Sequence, residues 1–160
     1  MLSEQKFREE LRKFVEKMTE CRVNWQLKEN GKYARYTYLE TLSDGRVVSA
    51  DVHILYNLTY QVPTLWFNYF ENNGTPLPFD VVVREILKIP ESEESQDSIR
   101  QRISHFEHPI LGVLYYNIHP CNTVKIMEEL NKENYLISWL SVYGQQIGLK
   151  LPKDSLLKLK

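Results

Sequence analysis

Phe7, Leu11, Phe14, Val15 and Met18, with Leu2 ahead of them, recur at intervals that put them on one face of a helix. Ser3 stands before this run as an N-cap, so residues 3 to about 19 are predicted to be helical. Glu and Lys mix on the opposite face. That mixture suits a helix packed on a sheet, whereas a membrane-surface helix would be biased toward Lys and Arg. From Arg22 to Glu71 the pattern changes to β-branched and aromatic residues, broken by the turn signals Asn30-Gly31, Asp44-Gly45 and finally Asn72-Asn73-Gly74. A four-stranded antiparallel meander fits, with strands near 22 to 28, 32 to 42, 46 to 58 and 64 to 71. In the third, Val48, Ala50, Val52, Ile54, Tyr56 and Leu58 alternate with Ser49, Asp51, His53 and Asn57, which predicts one core face and one wetter face.

Beyond the meander, Pro76-Leu77-Pro78 reads as a loop, Asp80 as the cap of a short helix through Leu87, and Pro90 as its terminator. Residues 91 to 98, from Glu91 to Ser98, lack apolar periodicity and predict a solvated, mobile acidic loop. Leu111 to Ile118 predicts a buried strand that runs straight into His119-Pro120-Cys121. Asn122 or Thr123 can cap a helix carrying Val124, Ile126, Met127 and Leu130. Asn134 can cap another with Leu136, Ile137, Leu140, Tyr143 and Ile147, closed near Gly148. The order of helix, meander, irregular segment and helices is an α+β pattern, and 160 residues with 42% hydrophobic content are expected to form a single domain, 1–160, around one core.

Charge narrows the partners. With 20 Lys and Arg against 21 Asp and Glu, the chain has no net field to draw in nucleic acid or an anionic membrane, so partners should be recognised by local patches. The first residues lack the apolar core of a signal peptide, and no stretch approaches the roughly 18 apolar residues of a membrane span, which predicts an intracellular protein. Cys21 and Cys121 lie far apart without CxxC spacing, a pattern of free thiols in a reducing compartment. His53, His105, His108 and His119 come without HExxH or paired CxxC, so no metal is expected. Cys21, beside Val23 and Trp25 at the start of the first strand, reads as packing. Cys121 is different: where a strand ends and a helix begins, free helix N–H groups favour the thiolate, and a Pro-Cys corner exposes it for nucleophilic attack. The competing reading is a small buried hydrophobe. A cysteine protease would also need a distant His as base, and no surrounding sequence supports one.

Four blocks carry more information together than any one alone: Tyr60-Gln61-Val62-Pro63-Thr64-Leu65-Trp66-Phe67, Glu107-His108-Pro109-Ile110-Leu111-Gly112, His119-Pro120-Cys121, and Tyr135-Leu136-Ile137-Ser138-Trp139-Leu140-Ser141 before Gly144. In this order and spacing the chain resembles the autophagy-related protein 10 family over about residues 50 to 152. The resemblance implies an E2-like fold and a conjugating enzyme of the cytoplasm, recruited to the pre-autophagosomal structure. Cys121 would accept the ubiquitin-like autophagy-related protein 12 as a thioester from the E1-like autophagy-related protein 7 and pass it to a lysine of autophagy-related protein 5. No cofactor is implied, because the E1 consumes the ATP. Two rivals stand beside this. One is the autophagy E2-like family that transfers its modifier to a phospholipid, which also carries His-Pro-Cys but resembles a longer chain with an acidic insertion. The other is a non-catalytic E2-like binding module whose sheet edge recruits partners by strand addition.

One departure matters: a ubiquitin E2 has His-Pro-Asn before its cysteine, and this sequence has no such tripeptide. The donor for the oxyanion that forms on aminolysis, worth on the order of 3 kcal/mol, must then come from elsewhere. Asn117, two residues before His119 on the same strand face, is one candidate, and Tyr56, in a central meander strand, is another. A strand-end turn and core packing are their respective alternatives. His119 could hold the cysteine loop through its backbone or tune the thiolate.

Overall fold

The computed structural model describes residues 1–89, 92–130 and 133–151. Helix α1 (Glu4–Glu20) starts where expected: Ser3 Oγ accepts the Lys6 N–H at 3.1 Å, Glu4 sits in the first turn, and Phe7, Leu11, Phe14 and Met18 face inward. It ends at Cys21, whose N–H returns to the Lys17 carbonyl, and Arg22 turns the chain with φ 60°. Cys21 therefore caps the helix and half-buries against the core, and does not open a strand.

The meander follows as β1 (Gln26–Lys28), β2 (Tyr33–Thr41), β3 (Val47–Asn57) and β4 (Val62–Phe70). The first strand is shorter than expected because residues 21–25 are spent turning out of α1. Two further strands, β5 (Ile103–Glu107) and β6 (Leu114–Ile118), extend it to a six-stranded antiparallel sheet in the order β1-β2-β3-β4-β6-β5. The strand predicted from Leu111 begins only at Leu114, because His108–Gly112 folds into a turn closed by His108 N–H to Val113 O (2.7 Å) and Gly112 N–H to His108 O (2.9 Å). Gly112 sits at φ 68°, where a side chain would strain the turn.

Between β4 and β5 the expectations change most. A single α-turn, α2 (Phe79–Val81), widens at once into a π-helical stretch, Val82–Leu87, which Lys88 ends with φ 53°. Pro78, not Asp80, holds the cap position. Helix α3 (Glu93–Arg102) replaces the solvated loop predicted for 91 to 98, while Pro90 and Glu91 lie outside the described residues. Its polarity is compatible with helix for two reasons: Ile99 is a buried anchor, and Arg100 and Arg102 in the last turn match the helix dipole. Two helices close the fold, α4 (Thr123–Glu128) and α5 (Tyr135–Gln146). Asn134 precedes α5 as expected, and its Oδ1 accepts Lys17 Nζ at 2.6 Å, tying α5 to α1.

The core lies between the helices and one face of the sheet, where Phe7, Leu11, Phe14, Trp139 and Leu140 meet Val52, Ile54, Leu65 and Phe67. The opposite face is not the wetter one that alternation predicts. Asp51 and His53 are buried there with Tyr33, Leu55, Trp66 and Tyr115, under His108 and Ile110. They are buried because they are paired. Asp51 accepts Arg35 Nε (2.8 Å), the Tyr115 hydroxyl (2.8 Å) and His53 Nε2 (3.0 Å), while His53 Nδ1 lies 2.9 Å from His108 Nε2. Burial acts to raise the Asp51 carboxyl, but the hydrogen bonds from His53, Arg35 and Tyr115 outweigh it and hold it below the ordinary carboxylate range.

His108 carries the acid sensitivity of this face. Burial first, and its neighbour His53 second, lower its pKa to about 4, against about 6.5 for an unfolded imidazole. Asp51, Arg35, Tyr33, Tyr115 and Trp66 complete its surroundings. The unfolded chain takes up this proton first, so stability is expected to fall as pH drops from about 6.5 to about 4, with the Asp51 contribution lost below that. The loss expected from His108 is on the order of 3 kcal/mol. Denaturant unfolding at pH 7.5 and 4.5 measures it, and His108→Gln should flatten the difference; an equal drop in the variant would count against this account.

Candidate functional site

β6 ends at Ile118 and delivers His119-Pro120-Cys121 to the surface, where Thr123 N–H turns back to the Pro120 carbonyl at 3.0 Å. α4 begins two residues after the cysteine, and its first residue, Thr123, is buried with Oγ1 donating to the Tyr143 hydroxyl at 2.8 Å. The corner is thus anchored on both sides, and Cys121 itself is exposed with a free thiol. His119 bends back so that Nδ1 accepts the N–H of Cys121 at 3.3 Å, while its own N–H reaches the Arg102 carbonyl at 2.8 Å. Tyr60, from the turn between β3 and β4, sets its ring edge against the imidazole at 5.6 Å. A bond to the Cys121 backbone is one of the two roles that the sequence left open for His119.

Asn117 lies four residues upstream, paired with Trp66 across the sheet and 8% exposed. Its Nδ2 has no hydrogen-bond partner. A buried donor left unpaired costs about 1–3 kcal/mol, and the Asn117 amide shares that state with Trp25 Nε1, Trp139 Nε1 and the Tyr135 hydroxyl. Tyr56 differs. Its hydroxyl donates to the Leu2 carbonyl at 2.6 Å, its ring packs against Phe7 at 5.4 Å, and Leu2 N–H reaches Gln61 O at 2.9 Å, so Tyr56 staples the start of α1 to β3.

Sequence reasoning missed Tyr143. Its pKa is raised chiefly by burial, opposed by the bond from Thr123, with the charge of Cys121 a lesser raising cause. The only available signal was its helical spacing in α5, which reads as core. The histidines that might have suggested zinc are otherwise engaged, His105 stacked on Tyr116 at 4.3 Å and His108 in the buried network. Among the described residues, no group of three or more His, Cys, Asp or Glu is arranged to hold a metal ion.

The ubiquitin-like-conjugating enzyme ATG10 of Homo sapiens is 36% identical over 125 residues, covering 71% of this chain and 55% of that protein. Its Arabidopsis thaliana counterpart is 33% identical over 66% of this chain and 52% of its own length. Autophagy-related protein 3 of Dictyostelium discoideum is 28% identical over 67% of this chain and 31% of its own. The chain spans about half the length of the ATG10 relatives. The crystal structure of the autophagic E2 Atg10 superposes with a TM-score of 0.62 at 15% identity, over 94% of this chain and 99% of that one. The solution structure of KmAtg10 gives 0.54 at 19% identity, over 93% and 97%. At these identities the two structures show a shared α+β fold, with the N-terminal helix, antiparallel sheet and C-terminal helices expected from the sequence. The family described as autophagocytosis associated protein, active-site domain, matches residues 6–154, nearly the whole of the chain, and this chain belongs to that family.

Proposed function

We propose that the chain is an E2-like conjugating enzyme that carries a ubiquitin-like modifier as a thioester on Cys121 and transfers it to a lysine of an acceptor protein. The observation that carries the reading is the corner itself: an exposed thiol whose own backbone N–H is held by His119, at the junction of a buried strand and a helix. The Cys121 thiolate attacks the thioester of the E1 and expels the E1 thiolate. The acceptor amine then attacks the Cys121 thioester, the oxyanion collapses, and the thiolate leaves as the amine gives up its proton. The donor assigned to the oxyanion is the Asn117 amide, a reading supported by its Nδ2 having no hydrogen-bond partner. In its finer form the modifier is autophagy-related protein 12, its source the E1-like autophagy-related protein 7 and its acceptor autophagy-related protein 5, in the cytoplasm. Support for a protein rather than a lipid acceptor comes from α1, whose apolar residues Phe7, Leu11, Phe14 and Met18 are all consumed by the core, leaving no apolar face for a bilayer.

With E1, ATP and modifier, wild-type chain should form a reductant-sensitive adduct, and Cys121→Ser should instead trap a reductant-resistant ester and form no conjugate. Cys21→Ser should conjugate normally. An inert binding module would give no adduct in any of the three.

Single-turnover discharge separates oxyanion support from folding. Asn117→Ala should slow discharge to the acceptor lysine roughly a hundredfold at unchanged charging, the effect of a donor worth about 3 kcal/mol. Tyr56→Phe, which removes only the bond to Leu2, should lower the melting temperature and leave discharge of the folded protein intact. Slowing confined to Tyr56→Phe would reverse the assignment.

Charged enzyme mixed with phosphatidylethanolamine liposomes should yield no lipid-linked modifier. Such a product would make the lipid the acceptor.

A further inference from the structure

The block Glu107 to Gly112 stands out in the sequence, and the transfer reaction above makes no use of it. We propose that His108 is a positioning residue for that reaction: as a neutral imidazole it couples the Asp51–His53 pair of the sheet to the turn leading into β6, and so sets the pose of Asn117 and the Cys121 corner. The inference rests on the transfer reading.

The hydrogen bonds determine the tautomers. His108 Nδ1 accepts two backbone N–H groups, from Ile110 at 3.2 Å and Leu111 at 3.1 Å, so its proton must be on Nε2. Nε2–H then donates to His53 Nδ1, which must be bare, and His53 Nε2–H donates to Asp51. Arg35 closes the chain with two contacts to Asp51, at 2.8 and 3.3 Å. Every proton in this relay has one place to go. The result is a directional link from β2 through β3 to the backbone of the turn at 110–111.

The link matters because β6 is thinly attached. Only Trp66↔Asn117 and Phe67↔Tyr116 pair it with β4, and its other neighbour, β5, is the sheet edge. Two side-chain bonds reinforce the relay at the same end of β6: the Tyr115 hydroxyl to Asp51, and Asn68 Nδ2 to the Leu114 carbonyl at 2.9 Å. Tyr115 and Asn117 lie on one face of an extended strand, so a shift where the turn enters β6 moves the Asn117 amide with it. A donor that must meet a transient oxyanion loses its value when displaced by about 1 Å.

Discharge of the charged thioester tests this at a temperature where each variant is folded by circular dichroism. His108→Leu fills the space without an acceptor and should slow discharge roughly tenfold relative to charging. His108→Asn offers a carboxamide oxygen to the Ile110 and Leu111 N–H groups and should recover most of that rate, although it packs less well. The reverse order, Leu active and Asn slow, would mean that residue 108 only fills space and overturns the inference. Imidazole ¹⁵N shifts of the wild-type chain cover the case in which a variant does not fold: both His53 and His108 should carry their proton on Nε2, and the opposite tautomer at His108 overturns the proposal. A wild-type chain that takes no modifier at Cys121 overturns the transfer reading and this inference with it, whereas normal charging with full discharge in His108→Leu overturns the inference alone.

Discussion

Two ladder positions join β6 to β4 of the meander, and the His119-Pro120-Cys121 corner hangs from the end of that strand. The longer, five-position ladder of β6 is with β5 at the sheet edge, so its seat on the meander leans on side chains as well. On the helix side, Tyr116 and Ile118 are driven into the core, with Tyr116 packed against Phe67 and Phe79 at 5.7 and 5.3 Å. On the other side the Asp51 network and the Asn68 amide take hold of residues 108–115. Apolar packing alone is tolerant of small slides, while directional bonds are not.

The corner divides its duties by depth. Cys121 is exposed, while Asn117 is buried in the sheet four residues before it. His119 bonds the Cys121 backbone on one side, and the Thr123–Tyr143 bond fixes the start of α4 on the other.

Local signals made much of this legible. α1, the meander and the strand-to-helix corner at Cys121 depend on periodicity, turn pairs and caps that act over a few residues. What failed was non-local. Polar alternation in β3 reads as a wet face because the sequence does not show that Asp51 meets Tyr115 and His53 meets His108, partners 64 and 55 positions away. The same blindness covered Tyr56, whose hydroxyl is claimed by a carbonyl 54 positions off. β5 escaped because Ser104, His105 and Glu107 give it no apolar signature, and its strand character is imposed by β6 alongside. In α3, Ile99 and dipole-matched charges stand in for periodicity.

The contacts of α1 also say something about how the molecule is assembled in time. Its N-terminal end is bonded to the turn after β3, and Lys17 near its other end is bonded to Asn134 at the head of α5, 117 positions later. Synthesised ahead of the sheet and α5, the helix has none of this core to bury Phe7, Leu11 and Phe14 against until those elements have been made. Closure is therefore long-range and late, with an entropic toll paid before the reward. During that interval the apolar stripe of α1 is the surface that a chaperone would see, and loss of α5 would leave it in that state for good.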